Sequence, residues 1–103
     1  MALSSANDDM LTGRVGAPVR ILLESTPGTG AIWYAPVAPP HATIDTLDSI
    51  PAGPGIGGRV QQVFLFRADV PGTYVLDFHL KRAWEPVVRR ERHFVIQIDA
   101  AAP

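Results

Sequence analysis

Asp69-Val70-Pro71-Gly72-Thr73-Tyr74-Val75-Leu76 is the most informative stretch of this chain. Pro71-Gly72 punctuates the backbone between two apolar runs, because proline fixes φ and glycine tolerates conformations other residues avoid. Beyond the break, Tyr74, Leu76, Phe78 and Leu80 alternate with Thr73, Val75, Asp77, His79 and Lys81. A period of two marks a strand with one face in a core.

The same alternation recurs on both sides. Val19, Ile21 and Leu23 interleave with Arg20, Leu22 and Glu24, and Phe94, Ile96 and Ile98 interleave with Val95, Gln97 and Asp99. Val60 to Phe66 is a further strand, more apolar on both sides, and Ile32–Val37 and about Ala42–Leu47 are weaker candidates. Pro36, Pro39 and Pro40 make an irregular connection between them. No window reads as a long amphipathic helix, and there is no internal repeat. Short strands separated by turn signals predict an all-β, immunoglobulin-like sandwich of about seven antiparallel strands. Tyr74 then falls at the corner between strands E and F, where a tyrosine hydroxyl bonds back to the upstream backbone. Leu76 takes the core position two residues later, with Ile21 or Leu23 on strand B as its partner in the facing sheet. Trp33 falls where strand C carries a buried tryptophan.

The chain has 103 residues, enough for one domain, expected over residues 10–99 between a flexible segment 1–9 and a tail 100–103. It has no cysteine, which excludes disulfides, thiolate catalysis and cysteine-ligated metal. A net charge of −1 gives no global attraction to nucleic acid or membrane, and neither is expected as a partner. The charge is uneven: residues 1–58 hold two basic and five acidic side chains, residues 59–103 seven and five. Lys81, Arg82, Arg89, Arg90 and Arg92, interleaved with Glu85 and Glu91, form either a solvated strand end or a rim suited to an acidic partner. The opening residues lack the basic and apolar regions of a signal peptide, and no apolar run nears the roughly 20 residues that span a bilayer. Compartment stays open.

Strand order places three connections at one end of such a sandwich: residues 25–31, 51–58 and 82–90. Loops carry recognition while sheets hold them still. Gly53-Pro54-Gly55-Ile56-Gly57-Gly58 superficially resembles a phosphate loop, but a strand pattern follows it where that chemistry needs a helix N-terminus. Asp77 and His79 share a strand face, with no evident link to His41 or His93, and read as a solvated polar face. No nucleophile elbow, zinc-protease motif or paired-carboxylate signature is present, so no catalysis, metal or cofactor is expected. Trp84, between charged neighbours and before Pro86, either folds back on the sandwich edge or serves as an interface anchor.

Taken in order, the three loops resemble those of the chagasin family of cysteine-protease inhibitors. The family's first loop reads Asn-Pro-Thr-Thr-Gly-aromatic-x-Trp; here the chain reads Thr26-Pro27-Gly28-Thr29-Gly30-Ala31-Ile32-Trp33. Its second loop ends Gly-x-Gly-Gly, matched by Gly55-Ile56-Gly57-Gly58, and its third reads Arg-Pro-Trp, matched by Arg82-Ala83-Trp84 with Glu85 following. Thr26, Gly28, Ala31 and Ala83 depart from the pattern. The resemblance implies reversible, non-covalent occlusion of the cleft of a papain-like cysteine protease, by a chain that is not itself an enzyme. It implies that Thr29, with Pro27 and Gly30, shapes the tip nearest the catalytic Cys/His pair. Gly55, Gly57 and Gly58 would let the second loop lie close along the substrate subsites, and Arg82 and Trp84 would anchor the flank. Three loops that must stay open imply a monomer. The competing reading is an immunoglobulin-like binding or structural module without inhibitory activity.

Overall fold

A computed structural model describes residues 8–26, 30–51 and 59–100. Eight strands run β1 (Asp8–Arg14), β2 (Val19–Ser25), β3 (Ala31–Tyr34), β4 (Ala42–Thr46), β5 (Ile50–Pro51), β6 (Val60–Ala68), β7 (Gly72–Arg82) and β8 (Arg90–Asp99). All but the two-residue β5 are at least four residues long, which matches the expected number. One sheet has the order β1-β8-β7-β3; the other has β2-β6-β4, with β5 also pairing β6. The pairing is antiparallel except between β1 and β8, which run parallel where an all-antiparallel sandwich was expected.

The core follows from the alternation. Ile21 and Leu23 from β2, Phe64, Phe66 and Ala68 from β6, Leu76 and Phe78 from β7, and Phe94, Ile96 and Ile98 from β8 interleave in one buried cluster with Trp33. The expected cross-brace is therefore present, built from aliphatic side chains. Aromatic packing fills its middle: the Phe64 and Phe78 ring centroids lie 4.9 Å apart and those of Phe78 and Phe94 5.5 Å apart, edge-on. At the corner ahead of β7, the Tyr74 hydroxyl donates to the Val70 carbonyl at 2.5 Å, as its position predicts. Its ring meets Phe66 edge-on at 5.3 Å.

Two elements differ from the sequence reading. β3 stops at Tyr34, short of Val37, because Pro36 cannot donate to a ladder. β1 begins at Asp8, two residues ahead of the expected domain start, and lies along β8 with Leu11 opposite Ile96. Its second core-facing position, Gly13, is bare because β2 crosses close by: a Cβ there would sit 2.6 Å from Val19 Cγ2. Residues 1–7 and 101–103 of the expected flexible segment and tail lie outside the described residues.

Candidate functional site

The roots of the three loops meet at one end of the sandwich. The start of the first loop adjoins the end of the second, because Ser25 pairs with Val60 at the foot of β6. Pro51, which opens the second loop, pairs with the same Val60. In the other sheet, Ala31 pairs with Arg82, so the end of the first loop adjoins the start of the third. Leu80 pairs with Arg90 where the third loop returns.

A buried amide ties the two sheets together at this level. Gln62, 8% exposed, accepts from the Trp33 backbone N–H at 2.8 Å through Oε1 and donates to the Trp33 carbonyl at 3.2 Å through Nε2. The Trp33 indole N–H donates to the Glu24 carbonyl at 2.9 Å. Each loop thus has a flanking strand tied through Trp33, β2 and β3 for the first, β6 for the second and β7 for the third; Trp33 is 3% exposed and pairs with Leu80. Trp33 is core, as its position predicts. Gln62 was not singled out from sequence. Its signal is a polar side chain at a position in register with Phe64 and Phe66, where the alternation calls for an apolar one.

The third loop has a defined shape. The Glu85 N–H donates to the Arg82 carbonyl at 3.1 Å, closing a turn with Ala83 and Trp84 at its centre. The Arg89 N–H donates to the Leu80 carbonyl at 2.8 Å and holds the returning arm. The Glu85 carboxylate stands between two guanidiniums, 3.8 Å from Arg82 and 3.2 Å from Arg89. Each such exposed pair contributes only about 0.2–1 kcal/mol, but together they fix the direction of the turn. Trp84 at its tip is 68% exposed, with the Arg82 guanidinium 5.8 Å from its ring centroid. Trp84 is thus exposed rather than folded back on the sandwich edge, and among the described residues one further contact backs its ring.

That contact comes from the first loop. Gly30 adopts φ +85°, and a Cβ on it would lie 2.5 Å from Trp84 Cη2. Glycine here serves both a left-handed backbone and the close approach of the indole. Ala31, beside it, is 6% exposed and pairs with Arg82. We expect Gly30→Ala to impose about 1–2 kcal/mol of backbone strain and to push Trp84 from its seat. A shift in the exposed component of tryptophan emission, measured against the buried Trp33 that parent and variant both keep, checks this directly. An unmoved spectrum would show that the two loops do not touch.

Of the residues expected at the site, Thr26, Gly30, Ala31, Arg82, Ala83 and Trp84 are described, and they gather at this end. Pro27, Gly28, Thr29, Gly55, Ile56, Gly57 and Gly58 lie outside the described residues. One expectation is corrected. His93 is the direct cross-strand partner of Asp77, with Nδ1 2.5 Å from Oδ1, and Glu91 lies 3.4 Å from His93 and 3.9 Å from His79. The link escaped the sequence reading because it depends on the β7–β8 register. Among the described residues, no group of three or more potential ligands could hold a metal ion, and the side chains of this row are about one-third to one-half exposed on the sheet face.

The chain matches the model of the chagasin family peptidase inhibitor I42 over residues 12–98, nearly all of the sandwich. The chain belongs to this family. A chagasin-family protein is an inhibitor of peptidases, not an enzyme. Solved structures that share the fold include the following three. Amebosin is 19% identical, with a TM-score of 0.65 over 96% of this chain and 95% of its own. EhICP2, a cysteine protease inhibitor from Entamoeba histolytica, is 16% identical, with a TM-score of 0.57 over 89% of this chain and 95% of its own. PbICP-C, solved in complex with falcipain-2, is 19% identical, with a TM-score of 0.56 over 92% of this chain and 90% of its own. No curated protein matches the chain in sequence.

Proposed function

We propose that this chain is a reversible, non-covalent inhibitor of papain-like cysteine proteases that fills the active-site cleft with loops 25–31, 51–58 and 82–90. The observation that carries the reading is the junction of the three loop roots at one end, with Trp84 exposed there against Gly30. Family membership gives the class of activity. EhICP2, a cysteine protease inhibitor, and PbICP-C, seen with falcipain-2, give the class of target.

The physics suits inhibition without cleavage. Glycine- and proline-rich tips enter a narrow groove backbone-first, and two packed sheets limit the entropy lost when the loops are immobilised. On this reading Thr29, with Pro27, Gly28 and Gly30, would meet the catalytic pair. Gly55, Ile56, Gly57 and Gly58 lie along the substrate subsites, and Arg82, Ala83 and Trp84 pack on the opposite flank. About 800 Å² per partner is the usual size of such an interface.

Titration into a papain assay with a fluorogenic peptide tests the reading. The expected result is competitive inhibition that reverses on dilution, with the inhibitor recovered uncut. Full protease activity at micromolar inhibitor, across several papain-like enzymes, would leave only a binding module.

A further inference from the structure

The three loops differ in charge. Residues 25–31 and 51–58 contain no charged side chain. At their roots Glu24 and Arg59 offset each other at 3.7 Å. The third loop and the strand ends that carry it hold Lys81, Arg82, Arg89 and Arg90 against Glu85 and Glu91. Two of these cations, Arg82 and Arg89, share the single carboxylate of Glu85. Lys81 lies 5.5 Å from the Tyr34 ring centroid and Arg90 5.9 Å from that of Trp33, contacts that orient a cation without cancelling its charge. Beside them opens a shallow groove of about 450 Å³, lined by Val88, Arg89, Arg90, Glu91, Arg92 and His93. Arg92, at its far side, is held by Asp9. One flank of the loop end is therefore net positive in a chain of net charge −1.

We propose that this flank is a steering surface for carboxylates on the margin of the protease cleft, so that the inhibitor associates fastest with papain-like enzymes that are acidic there. The inference rests on the inhibitor reading above and adds a partner preference to it. Charges at the rim of an interface act on encounter more than on residence, because they work at long range and stay partly solvated. The uncharged tips then enter the cleft whatever its margin carries. Discrimination among targets thus resides in the association rate, and salt screens it over a Debye length of about 8 Å at physiological ionic strength.

The test is stopped-flow association with two papain-like proteases that the chain inhibits, one with carboxylates at the cleft margin and one without, at about 20 mM and about 500 mM NaCl. With the acidic enzyme, the association rate is expected to fall about tenfold between the two salts. The double variant Lys81→Gln/Arg90→Gln is expected to start about threefold to fivefold slower at low salt, to converge with the parent at high salt, and to keep its dissociation rate within about twofold. The charge-preserving Lys81→Arg/Arg90→Lys is expected to behave as the parent, which separates charge from ring packing. Equal salt dependence with both enzymes, or an effect confined to dissociation, overturns the steering role and leaves the inhibitor reading standing. Absence of inhibition at any salt overturns both.

Discussion

Trp84→Ala should weaken protease inhibition by about 30-fold or more, equivalent to about 2 kcal/mol, while the melting temperature stays within experimental error of the parent. The two halves of this expectation have separate causes. Trp84 lies at the centre of the turn closed between Arg82 and Glu85, 68% exposed, and no strand depends on its ring. Truncation therefore removes little that the folded state buries beyond the edge resting on Gly30. A large indole presented on a braced turn behaves differently at an interface. It loses few rotamers on binding, and its area becomes fully buried, which is why tryptophan dominates interface hot spots. The measurement is the inhibition constant of the variant beside its thermal unfolding curve. An unchanged inhibition constant removes the third loop from the binding surface, and a collapsed melting temperature makes Trp84 a structural residue instead.

The largest effect on stability outside the apolar core is expected at Gln62. Gln62→Leu preserves bulk but strips the Trp33 backbone N–H and C=O of their partners in a buried setting. Each unsatisfied group costs about 1–3 kcal/mol, so a total near 3 kcal/mol is expected, lowering the melting temperature by roughly 10 °C or more. Gln62→Glu is no rescue, since an ionised carboxylate accepts from the N–H but cannot donate to the carbonyl. Inhibition should fall along with stability, because the same amide sets the distance between the roots of the first and second loops. Thermal unfolding of both variants decides the matter. A fully stable Gln62→Leu protein would mean that the pairing of β3 with β7 and the Trp33 indole bond to Glu24 hold β3 without the amide.

What could be read from the sequence was local in the chain or periodic. The Tyr74 corner was legible because its hydrogen bond spans four residues and its punctuation, Pro71-Gly72, lies between the partners. Trp33 as core and Leu76 as the brace followed from their spacing within alternating strands. Strand order then brought the three loops together before any contact was seen. β1 was not legible, because only Leu11 among its core-facing side chains is apolar and its partner strand is at the far end of the chain. The Asp77–His93 pair needs the register of a hairpin whose connecting loop, 82–90, has no short turn type to set it. The clamp on Trp33 joins residues 29 apart on facing sheets, and no local pattern reports such a distance. Gln62 was passed over there, although it is the polar member of an otherwise apolar face.

The Gln62 amide has one more effect. β3 is the outermost strand of its sheet, only four residues long, and such a margin ordinarily offers its peptide groups to any passing extended chain. Here the Trp33 peptide groups on the side away from β7 are already occupied by a side chain of the same molecule. At that residue the β3 margin is closed to edge-to-edge pairing with a second chain, next to the loops that the proposed function needs open.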